Sequence, residues 1–124
     1  MIFARRLFLL AGIYGILVLA PQYFLEAKLG QDYPPPITHP EQFYGFIGVA
    51  LAWQAAFLLI SRDPGRYRPM ILPAILEKLG FGIAAWVLFA QGRLAPVVLG
   101  PASIDLVLAV LFTVAFVRLQ PAGK

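Results

Sequence analysis

The sequence predicts an all-α integral membrane protein, a four-helix bundle running up-down-up-down. Composition is the first reason. Of 124 residues, 60% are hydrophobic and only 13% charged, and mean hydropathy is +0.80. A soluble domain of this size has too much surface to hide so many apolar side chains. The second reason is segmentation. Four apolar stretches, each close to the ~20 residues that cross a hydrocarbon core as a helix, take up nearly the whole chain. Clusters of Pro, Gly and charge divide them. The expected helices cover residues 7–25, 41–61, 70–91 and 102–119, within a single transmembrane domain, 1–124.

The first helix follows Arg5 and Arg6. A basic start, an apolar run and Val18-Leu19-Ala20 mimic a cleavable signal peptide. Pro21 directly follows that site, and the apolar run continues through Tyr23-Phe24-Leu25. A retained helix with a kink or frayed end at Pro21 is therefore expected. The polar loop from Glu26 to Pro40 contains Tyr33-Pro34-Pro35-Pro36, a stiff polyproline II stretch that reads as a rigid loop or a docking surface. Thr38 and Glu41 have the spacing of a capping box for the second helix. Small residues recur along that helix at Gly45, Gly48, Ala52, Ala55 and Ala56, and on the first helix at Ala11 and Gly15. Such stripes let membrane helices approach closely. Asp63-Pro64-Gly65 turns the chain into the third helix. Gly92 to Pro101 reads as an interfacial segment, and the fourth helix as the shortest span.

The basic residues set an expected orientation. Arg5, Arg6, Arg62, Arg66, Arg68, Arg118 and Lys124 fall on the side of the termini and the middle turn; Lys28 and Arg93 fall on the other. Positively charged flanks stay in the cytoplasm, so both termini are expected there, in a multi-pass protein of the cell's inner, cytoplasmic membrane. The pI near 9.8 follows from these flanks, since no basic face or run exists to suit nucleic acid. The chain has no cysteine and one histidine, His39. Disulfides, thiolate metal sites and a bis-His haem within this chain are excluded, and no cofactor or metal is expected.

Chemistry concentrates in the third helix, where Glu77 and Lys78 stand side by side in an apolar run. A charge near mid-bilayer costs at least about 2.5–3.5 kcal/mol on insertion scales. These two must pair, face a polar cavity or escape to the surface. Counting from the cytoplasmic ends, Tyr14, Gln54, Glu77 and Thr113 fall in one layer. That layer is either interhelical glue or a polar pocket with Glu77 as acid, base or ligand anchor. Gly80, Phe81 and Ala84 share the Glu77 stripe and suit close packing. Lys78, about 100° round the helix, is expected to snorkel toward the cytoplasm, with a catalytic lysine as the alternative. Asp105 reads as a first-turn residue near the outer face, favoured by the helix dipole and capped by Ser103 or Gly100. Alternatively the stripe Asp105, Ala109, Phe112, Thr113 opens a cavity toward Glu77. His39 and Glu41 lie at the same outer level, where His39 is a solvated loop residue or the partner of Asp105.

The four-span plan, the turn Arg62-Asp63-Pro64-Gly65-Arg66-Tyr67-Arg68-Pro69 and the segment Leu72-Pro73-Ala74-Ile75-Leu76-Glu77-Lys78 resemble small bacterial membrane proteins grouped with DoxX-like four-helix proteins. The resemblance spans most of the chain and rests on hydropathy and layout. It implies an inner-membrane bundle, linked in some members to redox complexes; a thiol role would belong to a partner. Three functions stay open. One is a bundle binding a lipophilic small molecule or lipid at Glu77, with or without enzymatic activity. Another is an accessory or assembly subunit whose polar layer is structural. The third is a small proton-coupled transporter, although helix one carries no core glutamate. The implied partners are membrane lipids, a lipophilic small molecule, and a second copy or a membrane-complex partner.

Overall fold

The computed structural model describes residues 2–32 and 36–119. Among them are five α-helices: α1 (Ile2–Leu19), α2 (Glu26–Asp32), α3 (Pro40–Arg62), α4 (Ile71–Ala90) and α5 (Leu99–Arg118). With their adjoining 3-10 turns, α1, α3, α4 and α5 form four apolar spans of 23 residues each. The chain is therefore a multi-pass, all-α membrane bundle. Short α2, absent from the sequence expectation, lies in the loop after the first span. Tyr33, Pro34 and Pro35 of the expected stiff stretch, and Lys124, lie outside the described residues.

The boundaries follow from proline chemistry. At Ala20 the first helix tightens into a 3-10 turn through Phe24, with Pro21 in its opening positions. α3 opens at Pro40 with His39 as its N-cap and no side-chain capping bond, so the Thr38–Glu41 capping box does not form. Pro40 at the first position needs no amide partner, which makes that cap dispensable. The fourth span begins earlier than expected. Pro96–Val98 is a 3-10 turn running straight into α5 at Leu99. Pro101 then sits in the first turn of α5, where a missing N–H costs nothing. The span is as long as the others, and Asp105 moves a full turn deeper.

The helices pair as two hairpin-like couples. α1 packs along α3, and α4 along α5; α1 also touches α5, whereas α3 and α4 barely meet. Glycines set both close approaches. A Cβ at Gly15 would overlap the side-chain amide of Gln54, and one at Gly12 would lie 3.0 Å from the Gln54 carbonyl. A Cβ at Gly82 would lie 2.7 Å from Leu106 Cδ2 and 3.1 Å from the Ala102 carbonyl. The expected packing stripe on α3 is corrected. Gly45, Ala52 and Ala55 are exposed, and the buried row is Ile47, Ala50, Gln54, Phe57 and Ile60. Small residues fit a helix contact but do not require one, so their spacing does not fix the face.

All four spans converge at the end carrying the termini and the Asp63 turn. Phe8 stacks on Phe112 with centroids 4.3 Å apart, and Phe57 meets Phe112 edge-on at 5.2 Å. Ala4, Ala74 and Ala115 let the rings close up, and Ile60 and Ile71 complete the plug. Arg68 stacks 3.8 Å over Phe116 and donates from Nε to the Phe116 carbonyl at 3.1 Å, near the C-terminus of α5. A cation is favoured there by the helix dipole. At the other end the clusters are smaller. Tyr44 donates to Glu26 at 2.9 Å and stacks on Tyr23, and Trp86 Nε1 donates to Ser103 Oγ at 3.2 Å. The bundle is thus solid at one end and splayed at the other.

One substitution pair tests the glycine contact. Overpacking typically costs about 1–3 kcal/mol. Gly82→Leu is therefore expected to lower the thermal midpoint in detergent by several degrees. Gly80→Leu, at a position with nothing within 4 Å of its added Cβ, leaves it nearly unchanged. Equal midpoints would contradict the α4–α5 contact.

Candidate functional site

Where the splay begins, a cavity of about 820 Å³ opens above the phenylalanine plug. α1 contributes Tyr14, Gly15 and Val18; α3 contributes Phe46, Val49, Trp53 and Gln54. α4 contributes Pro73, Leu76, Glu77, Lys78 and Phe81, and α5 Pro101 and Asp105. Val97, Val98, Gln22 and Leu29 roof its far end. The walls are mostly apolar. Phe46, Val49 and Leu76 are exposed on the outer surface as well, so the cavity opens sideways through the gap between α3 and α4. Across that gap the rings of Phe46 and Phe81 stand 6.4 Å apart.

The polar groups gather at the floor around Lys78. Its Nζ lies 3.6 Å from Glu77 Oε2 and 3.5 Å from Asp105 Oδ1. It also stands 5.1 Å over the Phe57 ring, a cation–π contact that needs no further polar partner. Lys78 is only 3% exposed. The expected snorkelling does not occur, because both anions and the ring hold the ammonium inside. Within α4 the buried row is Ile71, Ala74, Lys78, Gly82 and Ala85. Lys78, and not Glu77, occupies the packed stripe. Gly80 and Ala84, assigned to that stripe from sequence, are exposed. Glu77 sits beside it at the cavity wall, in a position to offer an oxygen to the interior.

Two buried acceptors at the floor lack hydrogen-bond partners: Glu77 Oε2 and Gln54 Oε1. Gln54 is 1% exposed, and its Nε2 donates to the Ala50 carbonyl at 2.9 Å. The amide is therefore oriented by its own helix, with its oxygen left over against Gly15. An unpaired buried acceptor costs about 1–3 kcal/mol. Here Glu77 Oε2 faces the Lys78 ammonium at 3.6 Å and Gln54 Oε1 is packed against Gly15, so both lie beneath the cavity floor.

The structure brings Tyr14, Gln54, Glu77, Lys78 and Asp105 to one cavity. It leaves out Thr113, which is exposed and donates to the Ala109 carbonyl of its own helix at 2.8 Å. A hydroxyl satisfied in that way needs no interhelical partner. Asp105 is not an outer, helix-capping residue. It lies nine residues into the Pro96–Arg118 span, roughly 14 Å deep at 1.5 Å per residue. Ser103 accepts from Trp86 instead of capping α5. His39 is solvent-exposed, 3.5 Å from Glu41, and forms no ion pair with Asp105. Trp53, Phe46 and Phe81 were not singled out as cavity residues from sequence, since apolar aromatics in a membrane span carry no signal of facing. Gly15 carried one: it lies a turn from Ala11 on a packing stripe.

In comparisons with known proteins, no family model, curated protein or solved structure matches the chain.

Replacing Lys78 with Leu strands two carboxylates, and breaking a buried ion pair costs about 3–5 kcal/mol. Glu77→Gln keeps the Lys78–Asp105 contact and is expected to cost less than half as much. Thermal unfolding in detergent measures both. A Lys78→Leu protein as stable as Glu77→Gln would show that the ammonium does not hold the floor together.

Proposed function

We propose that the protein holds a lipophilic small molecule or lipid in the cavity above Lys78, with Glu77 as the polar anchor. The cavity carries this reading. Its ~820 Å³ volume lies in the range of small-molecule sites, which join apolar walls to a few placed polar groups. Its lateral opening faces lipid, so an apolar ligand enters from the membrane. A bundle whose polar layer served only as glue would close over its charged groups, and here Glu77 and Asp105 both line the cavity.

The membrane setting follows from the charges. We place both termini in the cytoplasm, with the protein in a bacterial inner membrane, as the positive flanks and the DoxX-like layout suggest. The accessory-subunit reading keeps one supporting observation: the exposed small-residue row Gly45, Ala52 and Ala55 on α3 would suit a partner helix.

Two experiments test the proposal. The chain lacks cysteine, so Pro36→Cys and Gly65→Cys serve as clean labels. In intact cells an impermeant thiol reagent is expected to label position 36 and spare position 65; the reverse would invert the topology. For the site, native mass spectrometry of the detergent-purified protein is expected to show a co-purifying lipophilic species. Glu77→Leu should lose it while the bundle keeps its thermal midpoint within a few degrees. A clearly lower midpoint with a changed oligomer profile would favour the glue reading.

A further inference from the structure

The floor of the cavity has an unbalanced account of charges and donors. Glu77 and Asp105 share a single ammonium, that of Lys78. With both carboxylates ionised the triad carries a formal charge of −1. No other lysine or arginine among the described residues comes within 4.0 Å of either acid. Both carboxylates line the cavity, with side chains 18% and 16% exposed, so each can meet a ligand there. A ligand bearing only acceptors would add to the deficit of positive charge.

We propose that the cavity selects a lipophilic ammonium: an apolar body with a protonated amine head. The head places its N–H groups on the carboxylates of Glu77 and Asp105 where they face the cavity, and its charge completes a triad of two anions into a pair of ion pairs. The body lies against Phe46, Val49, Trp53, Leu76 and Phe81 along the opening between α3 and α4. Trp53 and Phe81 add ring faces to which a cation is attracted on its way in. An anionic head is rejected by Glu77 and Asp105, and a neutral hydroxyl supplies a single donor and no charge. The inference rests on the cavity being a ligand site and specifies the chemistry of that ligand.

The test uses three ligands of one skeleton: phenylbutylamine, phenylbutanol and phenylbutyrate. The chain has two tryptophans, and only Trp53 lines the cavity. Trp86→Phe therefore makes Trp53 fluorescence a local reporter. The full chain is placed in nanodiscs of phosphatidylcholine, whose zero net charge does not concentrate amines. The amine is expected to change the emission saturably. The alcohol should bind about tenfold more weakly, the factor given by roughly 1.4 kcal/mol between charge-assisted and neutral hydrogen bonds. The carboxylate should not saturate. Glu77→Gln should bring the amine down to the level of the alcohol. An alcohol that binds as well as the amine would overturn the inference while leaving the site intact, because the triad would then hold its own proton. Tighter binding of the carboxylate, or an amine affinity unmoved in Glu77→Gln, would overturn it too. Saturable binding by none of the three would remove the ligand-site reading along with it. The three-ligand comparison on the Trp86→Phe protein decides the question even if Glu77→Gln does not fold.

Discussion

An ammonium buried at mid-membrane needs counter-charge close at hand, and Lys78 sets that requirement for the whole bundle. Its position on the packed stripe of α4 rules out escape along the stem to the surface. Asp105 must therefore arrive from α5 at the same depth, which requires α4 and α5 to lie close. Gly82 against Leu106 and Ala102 permits the approach. Phe57 must lie beneath the charge, which brings α3 to the same floor. Phe8 and Phe112 then fill the space below Phe57, and α1 and α5 are drawn into the plug. In hydrocarbon, where burial of apolar surface gives little drive to helix association, such specific contacts carry the packing.

The same interaction accounts for the hollow half. Glu77 and Lys78 are neighbours in sequence and point about 100° apart on the helix. If Lys78 occupies the packed stripe, Glu77 must stand at its edge, turned toward the gap. A helix closing that gap would have to bury the carboxylate against its own face. α3 offers Gln54 at that depth, and the Gln54 amide is already oriented by the Ala50 carbonyl. α3 and α4 therefore part above the floor, and the cavity is the consequence. Their connection through the Asp63 turn joins them only at the solid end.

The spans were legible because crossing hydrocarbon imposes a length and a composition that local sequence cannot disguise. The rotation of each span was not. α4 is apolar around its whole circumference apart from the Glu77–Lys78 pair, so periodicity carries no facing signal. The pair itself marked the site, but sequence favoured Glu77 for the interior and Lys78 for the surface. Glu77 does line the interior, but Lys78 is buried deeper still, and its burial arises from Asp105, a partner 27 positions along the chain. That partner was hidden by Pro101, which reads as a boundary yet is harmless in a first helical turn. Thr113 matched the polar layer in depth and failed in direction. Gln54 and Tyr14 matched in both, since each lies a whole number of turns from residues that the helix contacts bury.

The central claim is that Lys78 and Asp105 are energetically coupled across the α4–α5 contact. A double-mutant cycle measures this coupling directly, with Lys78→Met, Asp105→Leu and the double variant compared by thermal or chemical unfolding in one detergent. The account predicts that each single change is strongly destabilising and that the double variant recovers much of the loss. The coupling should lie well above the ~0.3–0.5 kcal/mol at which independent sites add. Additive losses within that range would show that the two charges do not meet, and would contradict the account.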